Sequence, residues 1–418
     1  MQKIRYGIIG IKGVGELHTY LTTKNENIEL VALVDIDETA VKAQAKKRRA
    51  RWFTDYRDLL DAGIVDAVSI ATPHHLHAEI GLACLKAGVH IFIEKPFANR
   101  VSEVDEMIAT AKANNLKISV AHQYRTYRSP QAMKKVIETG AIGRIMRVLW
   151  SWVEFRPESY YKRDIWRSKW EDSGGGVLMN QASHDLDLIC WLIGNPVQVS
   201  ALIGNQIHQA EIEDIACANV IFDNGAFASI QLTTNQPKGY SVRQIAGEKG
   251  TIIVQDVQSL TSDCYDQTLV SIYEDKLSNM AINLVGNHQQ PATIWQNLEL
   301  DRESKLETWI RHWDRNISQQ LRQKKLLKSP SLLKRLGLLQ PEKPPHHSIL
   351  MNSFIDSILN EGEPLVSGES VLPTIELINA IILSAMRKKT VEIPVDREEY
   401  DLLFKELVNQ EIQVPRFR

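Results

Sequence analysis

Over the first 125 residues, short apolar runs alternate with stretches of helical length. The run Ile4 to Ile9 stops at Gly10, and a second, Ile28 to Val34, stops at Asp35. Further runs fall at Asp66 to Ala71, Val89 to Ile93 and Lys117 to Val120, with segments such as the Ala-, Lys- and Arg-rich Glu38 to Arg51 between them. Strands and helices in this order predict an α/β doubly wound parallel sheet with helices on both faces. Past Arg125 the rhythm changes. Ile145 to Val153, Val197 to Ile203, Ile215 to Phe222, Ala226 to Thr233 and Ser241 to Ala246 read as strands joined by turns such as Asp223-Asn224-Gly225. Mixed runs such as Ala216 to Val220 suit a sheet with two different faces, so a largely antiparallel, open-faced sheet with a few helices is expected, one helix near Gly174 to Gly194.

The pattern divides the chain into residues 1–125, residues 126–345 with an extended insertion near 255–345, and a C-terminal helical region, 346–418, expected to pack back across both. Within the insertion, Arg302 to Arg335 sets ten basic residues against Glu303, Glu307 and Asp314. Such a run suits a solvated helical excursion, a basic lid over a phosphorylated or nucleotide-linked substrate, or a membrane or partner contact.

A chain of 418 residues is long enough for two cores, and its formal charge of −2 gives no overall pull toward nucleic acid or anionic membrane. Cys84, Cys190, Cys217 and Cys264 lack C-x-x-C spacing, which argues against a disulfide framework or a cysteine zinc site. The chain enters its first strand without an apolar leader, and its longest apolar stretch, Leu377 to Met386, is too short for a bilayer. A soluble cytoplasmic protein is expected.

The first strand-turn-helix-strand unit carries the first chemistry. Gly10 allows a tight turn off the strand, and Gly15 lets the following helix pack closely, so that backbone N–H groups around Gly13, Val14 and Gly15 can hold a pyrophosphate. Asp35, about 20 residues beyond the last glycine, is placed to accept from a ribose diol, with Ile36 beside it. Asp37 adds negative charge that repels a 2′-phosphate, favouring NAD over NADP. Lys12 replaces the middle glycine of G-x-G-x-x-G; it either points away or adds a cation beside the phosphates. The loops holding Gly10, Asp35, Thr72-Pro73 and Glu94-Lys95 all follow strand ends, so they are expected to share one edge of the sheet, with Glu94 and Lys95 among the cofactor contacts.

With GIIGIKGVGELH, ELVALVDID, ATPHHLHAEI, IFIEKPFA, IGRIMRV, GGGVLMNQASHDLDLICWLIG, IFDNGAFASIQLTT and IAGEKGTIIV, most of the chain resembles the Gfo/Idh/MocA oxidoreductases. The resemblance implies a Rossmann domain followed by an open-sheet α/β domain used for oligomerisation, with a homodimer or homotetramer expected. It also implies hydride transfer between nicotinamide and a sugar, inositol or similar polyol. It does not account for the segment 255–345.

Oxidation of a secondary alcohol requires a base within hydrogen-bond reach of the hydroxyl proton, and Lys95 and His184 are the candidates. Family analogy places Lys95 beside the hydroxyl, where an ammonium stabilises a developing alkoxide and keeps a neighbouring imidazole neutral. His184 then accepts the proton. In a helix starting near Gly176, Asn180, His184 and Asp187 would share one face, Asp187 orienting the imidazole or binding a substrate hydroxyl. Many relatives carry Asp at the position of Asn180, which as an amide cannot take a proton but can hold a hydroxyl.

Thr72 and Pro73 are expected beside the nicotinamide ribose; His77 belongs to the same loop, and no metal is expected there. Gln123 is a candidate contact to nicotinamide or substrate, and Tyr124 and Arg125 to substrate. Trp150 and Trp152 suit core or interface packing, whereas Trp166, Arg167 and Trp170 suit the cleft. The resemblance leaves two other function classes open, since some relatives take them: an NAD-dependent glycosidase working by transient oxidation, and a ligand-sensing regulator without catalysis.

Overall fold

A computed structural model describes residues 3–236, 240–257, 268–272, 294–297 and 346–416. The basic run Arg302 to Arg335, most of the insertion and Cys264 lie outside these residues. Strands β1 (Ile4–Ile9), β2 (Ile28–Val34), β3 (Arg51–Phe53), β4 (Ala67–Ile70), β5 (His90–Ile93) and β6 (Ile118–Val120) form a parallel sheet in the order β3-β2-β1-β4-β5-β6. Helices α1 (Val14–Thr22), α2 (Glu38–Arg48), α3 (Tyr56–Asp61), α4 (Leu76–Lys86) and α5 (Val101–Ala113) connect them. The order reverses between β1 and β4, and ligands of such sheets bind at that switch point, beyond the strands' carboxyl ends. The short edge strand β3 escapes the apolar pattern because Arg51 and Trp52 are exposed.

Beyond α6 (Arg128–Glu138), β7 (Ile145–Val153) leads through short helices α7 (Glu158–Arg163) and α8 (Trp170–Ser173) into α9 (Ser183–Ile193). Strands β8 (Pro196–Gly204), β9 (Ile215–Phe222), β10 (Phe227–Thr233), β11 (Tyr240–Gly247), β12 (Gly250–Val257), β13 (Thr268–Ile272) and β14 (Ile294–Asn297) follow. The chain ends with α10 (His346–Leu359), α11 (Gly368–Arg387), β15 (Val391–Glu392) and α12 (Arg397–Val408). Among the described residues these strands make a nine-stranded sheet, β14-β13-β12-β11-β7-β10-β9-β8-β15, antiparallel except where β7 meets β10. Buried and exposed residues alternate along β10, so one face is packed and the other open.

Helix α11 touches α5 and β6 on one side and α9 and β8 on the other. It runs further than its apolar centre suggests, because Gly368 to Ile375 join the same helix behind a Ser367 cap. By length and composition alone it could cross a membrane, yet 67% of its most apolar window is buried here, as in a core helix.

Helix α9 is clamped from two directions. Asp185, fully buried, accepts from Trp150 Nε1 at 2.9 Å and from Arg243 Nε and Nη2 at 2.9 and 2.6 Å. Asp187, also fully buried, accepts from Arg125 Nε and Nη2 at 2.8 and 2.6 Å and from Thr374 Oγ1 at 3.2 Å. Removing one partner of such a pair strands a buried charge. Asp185→Asn should therefore lower unfolding stability by about 3–5 kcal/mol, read from urea denaturation midpoints at constant slope; a loss below about 1 kcal/mol would mean the pair does not hold the helix.

Candidate active site

At the end of β1, Gly10 has φ +85°, and a Cβ there would lie 2.6 Å from the Ala71 carbonyl oxygen. A Cβ on Gly15 would lie 2.0 Å from the Gly10 carbonyl oxygen, so the turn and the helix start close on each other only with glycine. A Cβ on Gly13 would meet nothing within 4 Å, and no side chain caps α1, whose first residue is Val14. The Gly15 N–H, expected among the phosphate donors, is taken by the Lys12 carbonyl at 3.0 Å, while the uncapped start of α1 keeps its positive dipole end beside an open cradle suited to an anion. Asp35 sits at the tip of β2, accepting from the Ile11 and Asp37 N–H groups through one oxygen each, which leaves lone pairs for further donors. Ile36 beside it is 94% exposed, an apolar surface next to that carboxylate. Lys12 resolves toward Asp37, 2.7 Å away, and its ammonium holds that carboxyl below the usual range.

Beyond the carboxyl end of β5, the Lys95 Nζ donates to the Asn180 carbonyl oxygen at 2.5 Å. That carbonyl is available because Val177–Gln181 forms a π-helical turn, with the Ala182 N–H returning to Val177, before α9 starts at Ser183. The plain helical face expected from Gly176 onward is thus interrupted between Asn180 and His184. Glu213 fixes the turn's start, accepting from the Gly176 and Leu178 N–H groups at 2.8 and 3.0 Å; burial pushes its carboxyl up to about 7. Burial likewise brings the Lys95 ammonium down to about 8, reinforced by Arg167 and Arg156 and opposed by Glu94. His184 is 6% exposed, and burial followed by the Lys95 charge keeps its imidazole neutral well below the ordinary titration range. Tyr124 stacks on that ring at 4.3 Å.

On the turn that holds Lys95 and at the helix start after it, Asn180 Nδ2, Gln181 Oε1 and His184 Nδ1 are buried without a hydrogen-bond partner, as are Thr72 Oγ1, Gln123 Oε1 and Arg156 Nε. Each orphan costs about 1–3 kcal/mol, so the three beside Lys95 mark a place suited to a polar ligand.

Other expected site residues are placed elsewhere. Asp187 is taken up by Arg125 in place of His184, and Arg125, 3% exposed and also donating to the Ser370 carbonyl, has no free fork for a substrate. His77 is fully buried with its two nitrogens 2.7 and 2.9 Å from the Pro96 and Thr72 carbonyls, so it ties two loops together. Pro73 opens that loop, its carbonyl accepting from the Leu76 N–H. Glu94 turns inward, with His18 Nε2 at 3.0 Å and His347 Nε2 at 3.4 Å from one oxygen. Trp170 is buried in the core, whereas Trp166 stays beside the cleft, edge-on to His74 at 4.8 Å. Sequence reasoning missed His122, whose ring is edge-on to His184 at 5.3 Å and which burial lowers to about 4. It also missed Gln181, inside the Gly174 to Gly194 segment, and Arg156 and Tyr160, which sit outside the family segments.

Residues 4–122 match the family described as oxidoreductase, NAD-binding Rossmann fold, and residues 131–253 match the GFO/IDH/MocA C-terminal domain. The chain belongs to the GFO/IDH/MocA oxidoreductase family. It is 27% identical to levoglucosan dehydrogenase of Pseudarthrobacter phenanthrenivorans over 60% of this chain and 74% of that one. It is 26% identical to myo-inositol 2-dehydrogenase of Thermotoga maritima over 62% and 77% of the two chains. Among solved structures it resembles the WlbA dehydrogenase of Bordetella pertussis in complex with NADH and UDP-GlcNAcA, with a TM-score of 0.72 and 26% identity over 94% of this chain and all of that one. The matching family model is NAD-binding, and the residues present fit that cofactor: the open glycine cradle would take the pyrophosphate, Asp35 the ribose diol, and the orphaned Thr72 and Gln123 oxygens the nicotinamide end.

The Lys95 titration gives a direct check. Amines acylate as the free base, so Lys95 should reach half its maximal acylation rate near pH 8, where an ordinary lysine has well under ~1% free base. Pulse-labelling followed by peptide mass spectrometry reads this; a midpoint near that of the surface lysines would show that burial does not act on Lys95 as described.

Proposed function

We propose that this chain is an NAD-dependent dehydrogenase oxidising a secondary alcohol of a sugar, sugar derivative or inositol, nucleotide-linked sugars included. The observation that carries the reading is the meeting of the Lys95 ammonium with the turn that delivers His184, an imidazole held neutral in a buried, polar-lined cleft. NAD, when bound, supplies the acceptor for the hydride. Lys95 holds the alcohol oxygen and stabilises its developing negative charge. His184 takes the hydroxyl proton, its ring fixed by the Tyr124 stack, and Asn180 holds the substrate with its side-chain amide. Asp187 and Arg125 act behind this pair, setting the position of α9. Asp35 excludes a 2′-phosphate at the far end of the cofactor groove. Relatives named for levoglucosan and inositol, and a structural neighbour holding a nucleotide sugar acid, agree with the substrate class. Outward-facing Leu202 and Phe227, 74% and 60% exposed, support assembly of two or four copies through the open sheet.

Lys95→Met removes the charge and keeps the length. Turnover with a competent polyol should fall by about 10²–10⁴-fold, while NADH affinity, followed by nicotinamide fluorescence, stays within about twofold, since the ammonium acts on the alcohol. Undiminished turnover in this variant would refute the assignment.

A further inference from the structure

One wall of the cleft carries more guanidinium donors than a neutral polyol requires. Tyr160 on α7 lies between two guanidinium groups, with the Arg156 carbon 5.1 Å and the Arg167 carbon 4.9 Å from its ring centre. Its hydroxyl accepts from Arg167 Nη1 at 2.7 Å and faces Gln181 Nε2 at 3.4 Å. Gln181 directly follows Asn180, whose carbonyl holds Lys95, so this wall adjoins the catalytic turn. Both guanidinium groups act on Lys95 as like charges. Two carboxylates sit against them, Glu154 at 2.8 Å from Arg156 and Asp164 at 3.2 Å from Arg167. Lys95, Arg156 and Arg167 are set against Glu94, Glu154 and Asp164, so the charges balance until the positive ring of oxidised nicotinamide is added.

The donors are also incompletely used. Arg156 Nε is buried without a partner, and an arginine nitrogen can be satisfied only by an acceptor. Trp166, under Arg167 at 4.4 Å, offers an adjoining aromatic surface of the kind on which a sugar ring packs. A carboxylate, planar and acceptor-only, satisfies that nitrogen and matches the fork geometry together, whereas a hydroxyl meets only the first.

Resting on the dehydrogenase reading above, we propose that the substrate is a sugar acid whose carboxylate is held by Arg156 and Arg167 while its reacting hydroxyl meets Lys95. Neither arginine touches the reacting atoms; the pair selects the substrate and sets its register.

The test uses the full chain loaded with NADH and compares probes that differ in one charge: methyl glucuronide against its methyl ester, and UDP-glucuronate against UDP-glucose. Quenching of bound NADH fluorescence reads affinity without turnover. At least one acid should bind 10-fold or more tighter than its neutral partner, with the advantage shrinking as salt rises. Arg156→Gln and Arg167→Gln should each remove most of that advantage, and Arg156→Lys should restore part of it. Equal affinity within both pairs, failure of all four probes to bind, or a preference that survives both glutamine substitutions overturns the inference. Tighter binding of glucose 6-phosphate than of either acid does so too. Loss of NADH binding in the unmodified protein would instead strike the dehydrogenase reading, and NADH binding by each variant confirms its fold.

Discussion

The buried pair of Arg125 and Asp187 sets the relation between the two halves of the molecule. Taking two charges out of water is costly, and such a pair stands only when its remaining hydrogen-bonding capacity is met. Ser370 and Thr374 on α11 meet it, so the segment that leaves the parallel sheet, the helix α9 and the C-terminal helix α11 are joined at one point. Asp185 and Asp187 are two residues apart, about 200° around a helix, so α9 is held toward α11 by one and toward the large sheet by the other. His184, just before both, has little freedom to move.

This clamping explains how the cleft can carry so many unpaired polar atoms. An orphaned donor or acceptor would pull a mobile loop toward solvent or toward a neighbour. Here the turn Val177–Gln181 is held by Glu213 at its start, by Lys95 on its Asn180 carbonyl and by α9 after it. The rigid frame bears the cost of leaving Asn180, Gln181 and His184 ready for a ligand. The same frame orders charge along the sheet edge: Asp35 and Asp37 stand at the tip of β2, with Lys12 turned onto Asp37, and around Lys95 the guanidinium groups of Arg156 and Arg167 are set against Glu94 and Glu154.

Much of this protein was legible from residue order. Alternating apolar runs predict the parallel sheet, and the spacing of Gly10, Gly15 and Asp35 predicts a dinucleotide cradle, because backbone conformation and close approach are local demands that only certain residues satisfy. Lys95 and His184 were visible for the same reason, as reactive side chains at a strand end and a helix start. Reading the helix as regular from Gly176, however, hid the π-helical turn, since its cause is Glu213, a residue far along the chain.

What residue order could not decide was which groups meet. Asp187 lies one helical turn from His184, and local spacing alone offers it as an imidazole partner; the fold brings Arg125 to it instead, and a bidentate buried ion pair outcompetes a single contact to a neutral ring. His77 and Glu94 passed for cleft residues until the packing of their loops turned both inward. Arg156 and Tyr160 lie outside the family segments and meet Gln181 only when α7 is laid against the turn before α9. Local sequence determined the elements and their reactive tips, since those follow from backbone and side-chain chemistry within a few residues. Partnership between charges belongs to the tertiary structure, because it depends on which distant segments are driven out of water together.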